Sequence, residues 1–174
     1  MTQATYQEID GRPAIRFERR IAHPVEAVWH AVTEPGELAH WFPDPVELDE
    51  LKPGASMRFD LSAHGMDPMD GEIRELEPPR LFAFTWGDEM LRFELDPEDG
   101  GRACRLRFTH FLSERDKAAR DAAGWQVCFD RLDESLAAGG AGAANTGVTP
   151  AWREYYERYL AEGMPSGAEI PGQA

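Results

Sequence analysis

The chain predicts an α+β fold in which a curved antiparallel sheet of seven strands wraps one long C-terminal helix. Three observations lead there. Between residues 14 and 110, apolar residues recur at period two in short runs separated by Gly- and Pro-rich turns, the pattern of strands with one buried face. Ala118, Ala122, Trp125, Phe129, Leu132 and Leu136 then step by four and three, an apolar stripe on a single helix. Between the first strand and the rest, Pro24 to Phe42 carries apolar residues at helical spacing, interrupted by Pro35. A one-faced sheet and an amphipathic helix hide both apolar surfaces only by packing on each other.

The elements follow in order. Ala14 to Ile21 alternates, with Ile15, Phe17 and Ile21 on one face and Arg16, Glu18 and Arg20 on the other. Pro24 opens a helix where its missing N–H costs nothing, and Val25, Val28, Trp29 and Val32 form its stripe. Pro35 opens a second short helix carrying Leu38, Trp41 and Phe42, and Pro43 ends it. Strands are expected around Val46 and Leu48, around Met57, Phe59 and Leu61, and from Gly71 through Ile73 to Leu76. Three more carry Phe82, Phe84 and Trp86; Leu91, Phe93 and Leu95; and Cys104, Leu106, Phe108 and His110. Ser113, with Glu114 and Asp116 behind it, reads as the N-cap of the long helix. Gly124 inside that helix either admits a close approach to the sheet or is merely tolerated, at about 1 kcal/mol. Thr149 and Pro150 read as N-cap and first residue of a last helix bearing Trp152, Tyr155, Tyr156, Tyr159 and Leu160. The expected organisation is an N-terminal extension (1–13), the sheet–helix domain (14–139), a Gly/Ala linker (140–148), an appended helix (149–163) and a disordered tail (164–174).

Composition excludes several classes. The chain has 174 residues, one ordinary domain, with 42% hydrophobic content, ample for one core. A formal charge of −14 argues against nucleic acid, which needs a basic face, and reads mainly as solubility. No apolar run approaches the roughly 20 residues of a membrane helix, and Met1 to Asp10 lacks the basic and apolar regions of a signal peptide. A cytoplasmic protein is expected, with no membrane partner. Cys104 and Cys128 lack C-x-x-C spacing and read as reduced core residues. His23, His30, His40 and His64 have no metal-ligand spacing, and "GGAGAANTG" follows no strand and lacks a phosphate-loop lysine. Neither a metal nor a cofactor is expected.

Three phrases, "RRIAHPVEAVWHAVTEPGELAHWF", "DGEIRELEPPRLFAFTW" and "GWQVCFDRLDESL", in that order, resemble the START and birch-pollen-allergen superfamily, SRPBCC. Within it they look like the branch named for activators of heat-shock-protein-90 ATPase homologues. The resemblance covers roughly Ile15 to Ala138. It implies the helix-grip fold and a cavity between the concave sheet face and the long helix. The "AWREYYERYLAEG" helix is not a core element of that family.

By parity and spacing, such a cavity would be lined by Met57, Phe59, Ile73, Phe84, Trp86, Phe93, Phe108, His110, Trp125, Phe129 and Leu132, with Trp41 and Phe42 at its mouth. Taken singly, each of these reads as core packing. Taken as a set, the resemblance implies a pocket for a hydrophobic or aromatic small molecule. His110 continues the inward face of the last strand, so it is either a ligand-facing base or a histidine at the strand end bonded to backbone or water. "GMDPMDG" at 65–71 is either a lid or an ordinary hairpin connection. The function expected is binding or carriage of a hydrophobic molecule, because an enzyme needs convergent polar groups and this face offers one. The alternatives are a cyclase- or aromatase-like enzyme using His110, and a co-chaperone-like module. The aromatic last helix is expected to dock on its own domain, on a second copy as a homodimer, or on a protein partner.

Overall fold

A computed structural model describes residues 3–140 and 148–171. The expected linker, apart from residues 140 and 148, and residues 172–174 of the expected tail lie outside them. In chain order the elements are β1 (Ala4–Ile9), β2 (Arg12–Ile21), α1 (Val25–Thr33), α2 (Pro35–Leu38), β3 (Val46–Leu48) and β4 (Ser56–Phe59). They continue with β5 (Met69–Glu77), β6 (Leu81–Trp86), β7 (Glu89–Glu98), β8 (Ala103–Phe111), α3 (Ala118–Ala137) and α4 (Pro150–Ala161). All strand pairs are antiparallel, in the order β1-β2-β8-β7-β6-β5-β4-β3.

The sheet has eight strands, one more than expected. The additional one is β1, drawn from the expected N-terminal extension. Asp10 and Gly11 have φ of 52° and 76°, the double positive φ that a two-residue hairpin turn requires. "DG" is the short-range signal for that turn, and it puts Ala4 opposite Phe17.

Parity along the inner face holds. Ile15, Phe17, Ile21, Leu91, Phe93, Leu95, Cys104, Leu106 and Phe108 are buried, and α3 covers them with Trp125, Phe129 and Leu132. Phe129 meets Phe17 and Phe108 at ring-centroid distances of 5.2 and 5.1 Å. Arg19 belongs to the same face and is only 7% exposed. Its guanidinium pairs with Asp130 at 3.0 Å and Asp133 at 2.9 Å on α3, and Nε donates to Gln3.

The start of α3 differs from expectation. Ser113 caps nothing; its N–H and hydroxyl both donate to the Glu89 carboxylate, and α3 begins at Ala118 after a short 3₁₀ turn. The N–H of Ala119 is instead accepted by the Pro165 carbonyl, 2.9 Å away. The segment after α4 is therefore anchored where a disordered tail was expected: Met164 is buried, Ala168 N–H donates to the Asp116 carbonyl, and Arg120 donates to the Glu169 carbonyl.

The last helix begins as its sequence dictates, with the Thr149 hydroxyl accepting from Trp152 N–H and Pro150 at the first position. It docks on α3. Tyr159 is fully buried; its hydroxyl donates to the Gln126 side-chain oxygen and accepts from Ala4 N–H at 3.0 Å. Tyr155 donates to Asp130 at 2.5 Å. Gly124 faces this helix, not the sheet: a Cβ there would lie 3.8 Å from Trp152 Nε1.

Candidate functional site

Twelve of the thirteen expected ligand residues are packed into the interior. Trp41, Phe42, Met57, Phe59, Ile73, Phe84, Phe93, Phe108, His110, Trp125, Phe129 and Leu132 are all buried. Their rings fill the space between sheet and α3. Phe42 stands 6.0 Å from Phe59 and 5.6 Å from Trp125, and Trp41 stacks on Phe129 at 5.7 Å. Trp41 and Phe42 are thus core, not mouth. They follow α2 in a turn, and Trp41 Nε1–H donates to the Ala31 carbonyl at 2.9 Å.

An open cavity of about 480 Å³ lies on the other side of α3's tryptophan. Trp86, the remaining expected residue, and Trp125, which reaches it from the interior, line it together with Trp152, Pro43, Ala63, His64, Arg120, Asp121, Gly124, Cys128, Val148 and Pro171. Its walls come from the end of β6, the 3₁₀ turn Ser62–His64, α3, α4 and the anchored C-terminal segment. Three of the chain's five tryptophans stand in that wall, an apolar site with few polar groups. Trp86 and Trp125 lie 5.6 Å apart, and Trp152 stacks on Tyr156 at 4.9 Å. The Trp86 Nε1–H is buried with no acceptor among the described residues.

The sequence carried a signal for this wall. Asp121, Gly124, Trp125 and Cys128 recur at i, i+3, i+4 and i+7, a second stripe of α3 that adjoins the one facing the sheet and shares Trp125 with it. Its glycine and aspartate hid it from a search for apolar residues. Val148, Trp152 and Pro171 have no local signal, since only the docking of the C-terminal segment brings them there.

The polar groups near the cavity are constrained. Asp44 and His64 meet at 3.2 Å, and burial raises the Asp44 carboxyl despite the opposing pull of His64. Arg120 Nε donates to Asp121 at 2.7 Å and Nη1 to the Glu169 carbonyl at 3.0 Å.

His110 sits behind Trp125. The indole Nε1–H donates to His110 Nδ1 at 2.9 Å, and Nε2 lies 3.0 Å from Glu89 Oε1. An indole N–H can only donate, so Nδ1 carries no proton and Nε2–H donates to Glu89. Both ring nitrogens are used, and the ring is fully buried. The expectation of a strand-end histidine bonded to backbone or water is corrected in its partners, which are two side chains. Burial pushes the Glu89 carboxyl up, but the His110 hydrogen bond, the Ser113 N–H and the Lys117 ammonium outweigh it and hold the group at about 2. Glu89, His110 and Asp121 also bring one ligand-type atom each within 4.8 Å of one another, a grouping that histidine spacing could not reveal. Its chemistry opposes a metal: the His110 nitrogen facing Glu89 is the protonated one, and Lys117 holds the other Glu89 oxygen at 3.2 Å.

The family model for activator of Hsp90 ATPase homolog 1-like proteins matches residues 22–137. The chain belongs to this family. The match ends with α3, so α4 and the anchored segment lie outside it. No curated protein sequence matches the chain. Among solved structures, a conserved protein of unknown function from Enterococcus faecalis, EF2215, superposes with a TM-score of 0.72 at 21% identity, over 95% of this chain and 92% of that one. CalU16 from Micromonospora echinospora gives 0.70 at 23%, over 92% and 94%. DynU16, a protein in the dynemicin biosynthetic locus, gives 0.59 at 28% identity, over 73% of this chain and 48% of that one. The first two relations concern the fold alone. As a member of this family, the chain has the expected curved sheet gripping a long helix, and among the described residues no helix is long and apolar enough to cross a membrane.

Proposed function

We propose that this protein binds a hydrophobic, aromatic small molecule in the cavity walled by Trp86, Trp125 and Trp152. The observation that carries the reading is the cavity itself: about 480 Å³, within the range of small-molecule sites, with three indoles around it. The interior between sheet and α3, where the family resemblance implied a pocket, is occupied by packed rings among the described residues. Carriage favours the same reading over catalysis. His110, the candidate base, has both nitrogens engaged and no exposed surface, so it has no lone pair to offer a substrate. The co-chaperone alternative draws on the aromatic face of α4, yet Trp152 and Tyr159 are buried within this chain. DynU16 comes from a biosynthetic locus, which supports a small molecule over a protein partner.

N-phenyl-1-naphthylamine tests the reading, because an apolar fluorophore in this cavity quenches tryptophan emission. Saturable quenching with micromolar affinity is expected, about −8 kcal/mol. Gly124→Leu extends a side chain from the cavity wall toward Trp152 and should abolish the binding while leaving the fold intact. Binding that persists undiminished in Gly124→Leu would contradict the site.

A further inference from the structure

Resting on that binding site, the surrounding charges decide which kind of aromatic molecule it prefers. We propose that the cavity selects an organic cation, a protonated amine carried on an aromatic body, with Asp121 as its counter-ion and the indoles as its bed.

Two charged groups of opposite sign, Arg120 and Asp121, stand in the wall beside His64, and both retain hydrogen-bonding capacity. Arg120 has five N–H groups, of which Nε and Nη1 are engaged by described residues. Asp121 is acceptor-only, with about four lone-pair sites, and receives Arg120 Nε on one oxygen. The pair alone is neutral and favours neither sign.

The neighbours break the tie. Asp121 and Glu89 bring carboxylate oxygens within 4.8 Å of each other, a like-charge approach that a further cation relieves. Glu89 is saturated by His110, both donors of Ser113 and Lys117, so Asp121 is the member with acceptor sites left, and it lines the cavity. Asp116, close enough to act electrostatically on Arg120, has a buried oxygen without a hydrogen-bond donor among the described residues. Carboxylates thus outnumber the cations Arg120 and Lys117 around this end of the cavity. The chain's charge of −14 adds a field of the same sign. Indole faces attract cations and repel anions, tryptophan most strongly of the aromatic side chains. Each of these contributions favours a positive ligand.

Three probes with one ring system separate the possibilities: 2-naphthylmethylammonium, 2-naphthalenemethanol and 2-naphthoate, each titrated by calorimetry into the intact protein. The ammonium should bind about tenfold more tightly than the alcohol, and the carboxylate more weakly than both. Raising NaCl from about 50 to about 500 mM should shrink the ammonium's advantage and leave the alcohol unchanged. Asp121→Asn should bring ammonium and alcohol within about twofold of each other. An alcohol that saturates while the ammonium binds no more tightly overturns the cation assignment and leaves the cavity reading standing. A preference that survives Asp121→Asn overturns the role of Asp121. If none of the three saturates, the binding site itself falls. Should Asp121→Asn fold poorly, the order of the three probes on the unaltered protein and its salt dependence still decide.

Discussion

Glu89 shows how a charge can be legible and still be missed. It lies at the same parity as Leu91, Phe93 and Leu95, so the inward pattern of β7 extends back to it; "GDE" reads as a turn only when apolar residues alone are followed. Arg19 is the same case in β2, sitting between Phe17 and Ile21 on the buried face. His110 was legible as inward-facing, but its partners were not, because Trp125 and Glu89 reach it from separate elements. The consequence for stability is testable at Glu89. Its carboxyl falls from 4.5 to about 2 on folding, which stabilises the fold at neutral pH. The folded value lies below the unfolded one. The contribution is therefore complete above about pH 4.5 and is lost as pH falls toward 2. Glu89→Gln should lower the urea-unfolding free energy clearly at pH 7, and the gap to the unaltered protein should narrow as pH drops from 5 to 3. A gap independent of pH would show that the ionised carboxylate contributes nothing.

At the scale of elements, the helices and inner strands were readable because their periodicity is local. The hairpin of β1 and β2 was readable from Asp10–Gly11 alone, yet "ATYQEI" lacks the apolar alternation that would have drawn attention to it. Helix α4 was legible in existence and in its cap, and four aromatics within it argued for docking. Which surface it covers was not legible, because the contact with α3 depends on Gln126 and on the N–H of Ala4, far away in sequence. Tyr159 ties these together. Tyr159→Phe removes the hydroxyl that donates to the Gln126 side chain and accepts from the Ala4 N–H. The cost should be about 1–3 kcal/mol, the penalty for losing these buried hydrogen bonds, read from the urea midpoint. Phenylalanine fills the same ring volume, so an unchanged midpoint would mean that packing alone holds α4.

For the whole molecule, the fold follows from two periods and their order, and the family match agrees with it over residues 22–137. The site does not follow so directly. Parity identifies which side chains face inward but carries no information on whether they meet or leave a gap. Here the aromatic rings meet, and the gap opens where α4 and the anchored segment lean against α3. On the reading proposed above, a ligand occupies this outer cavity and not the sheet–α3 interior. Five indole N–H signals, from Trp29, Trp41, Trp86, Trp125 and Trp152, report on it independently in a ¹H–¹⁵N correlation spectrum. Titration with N-phenyl-1-naphthylamine should shift the Trp86, Trp125 and Trp152 signals along one saturable curve and leave Trp29 and Trp41 in place. A dominant shift at Trp41, whose ring lies in the interior stack with Phe129, would contradict it.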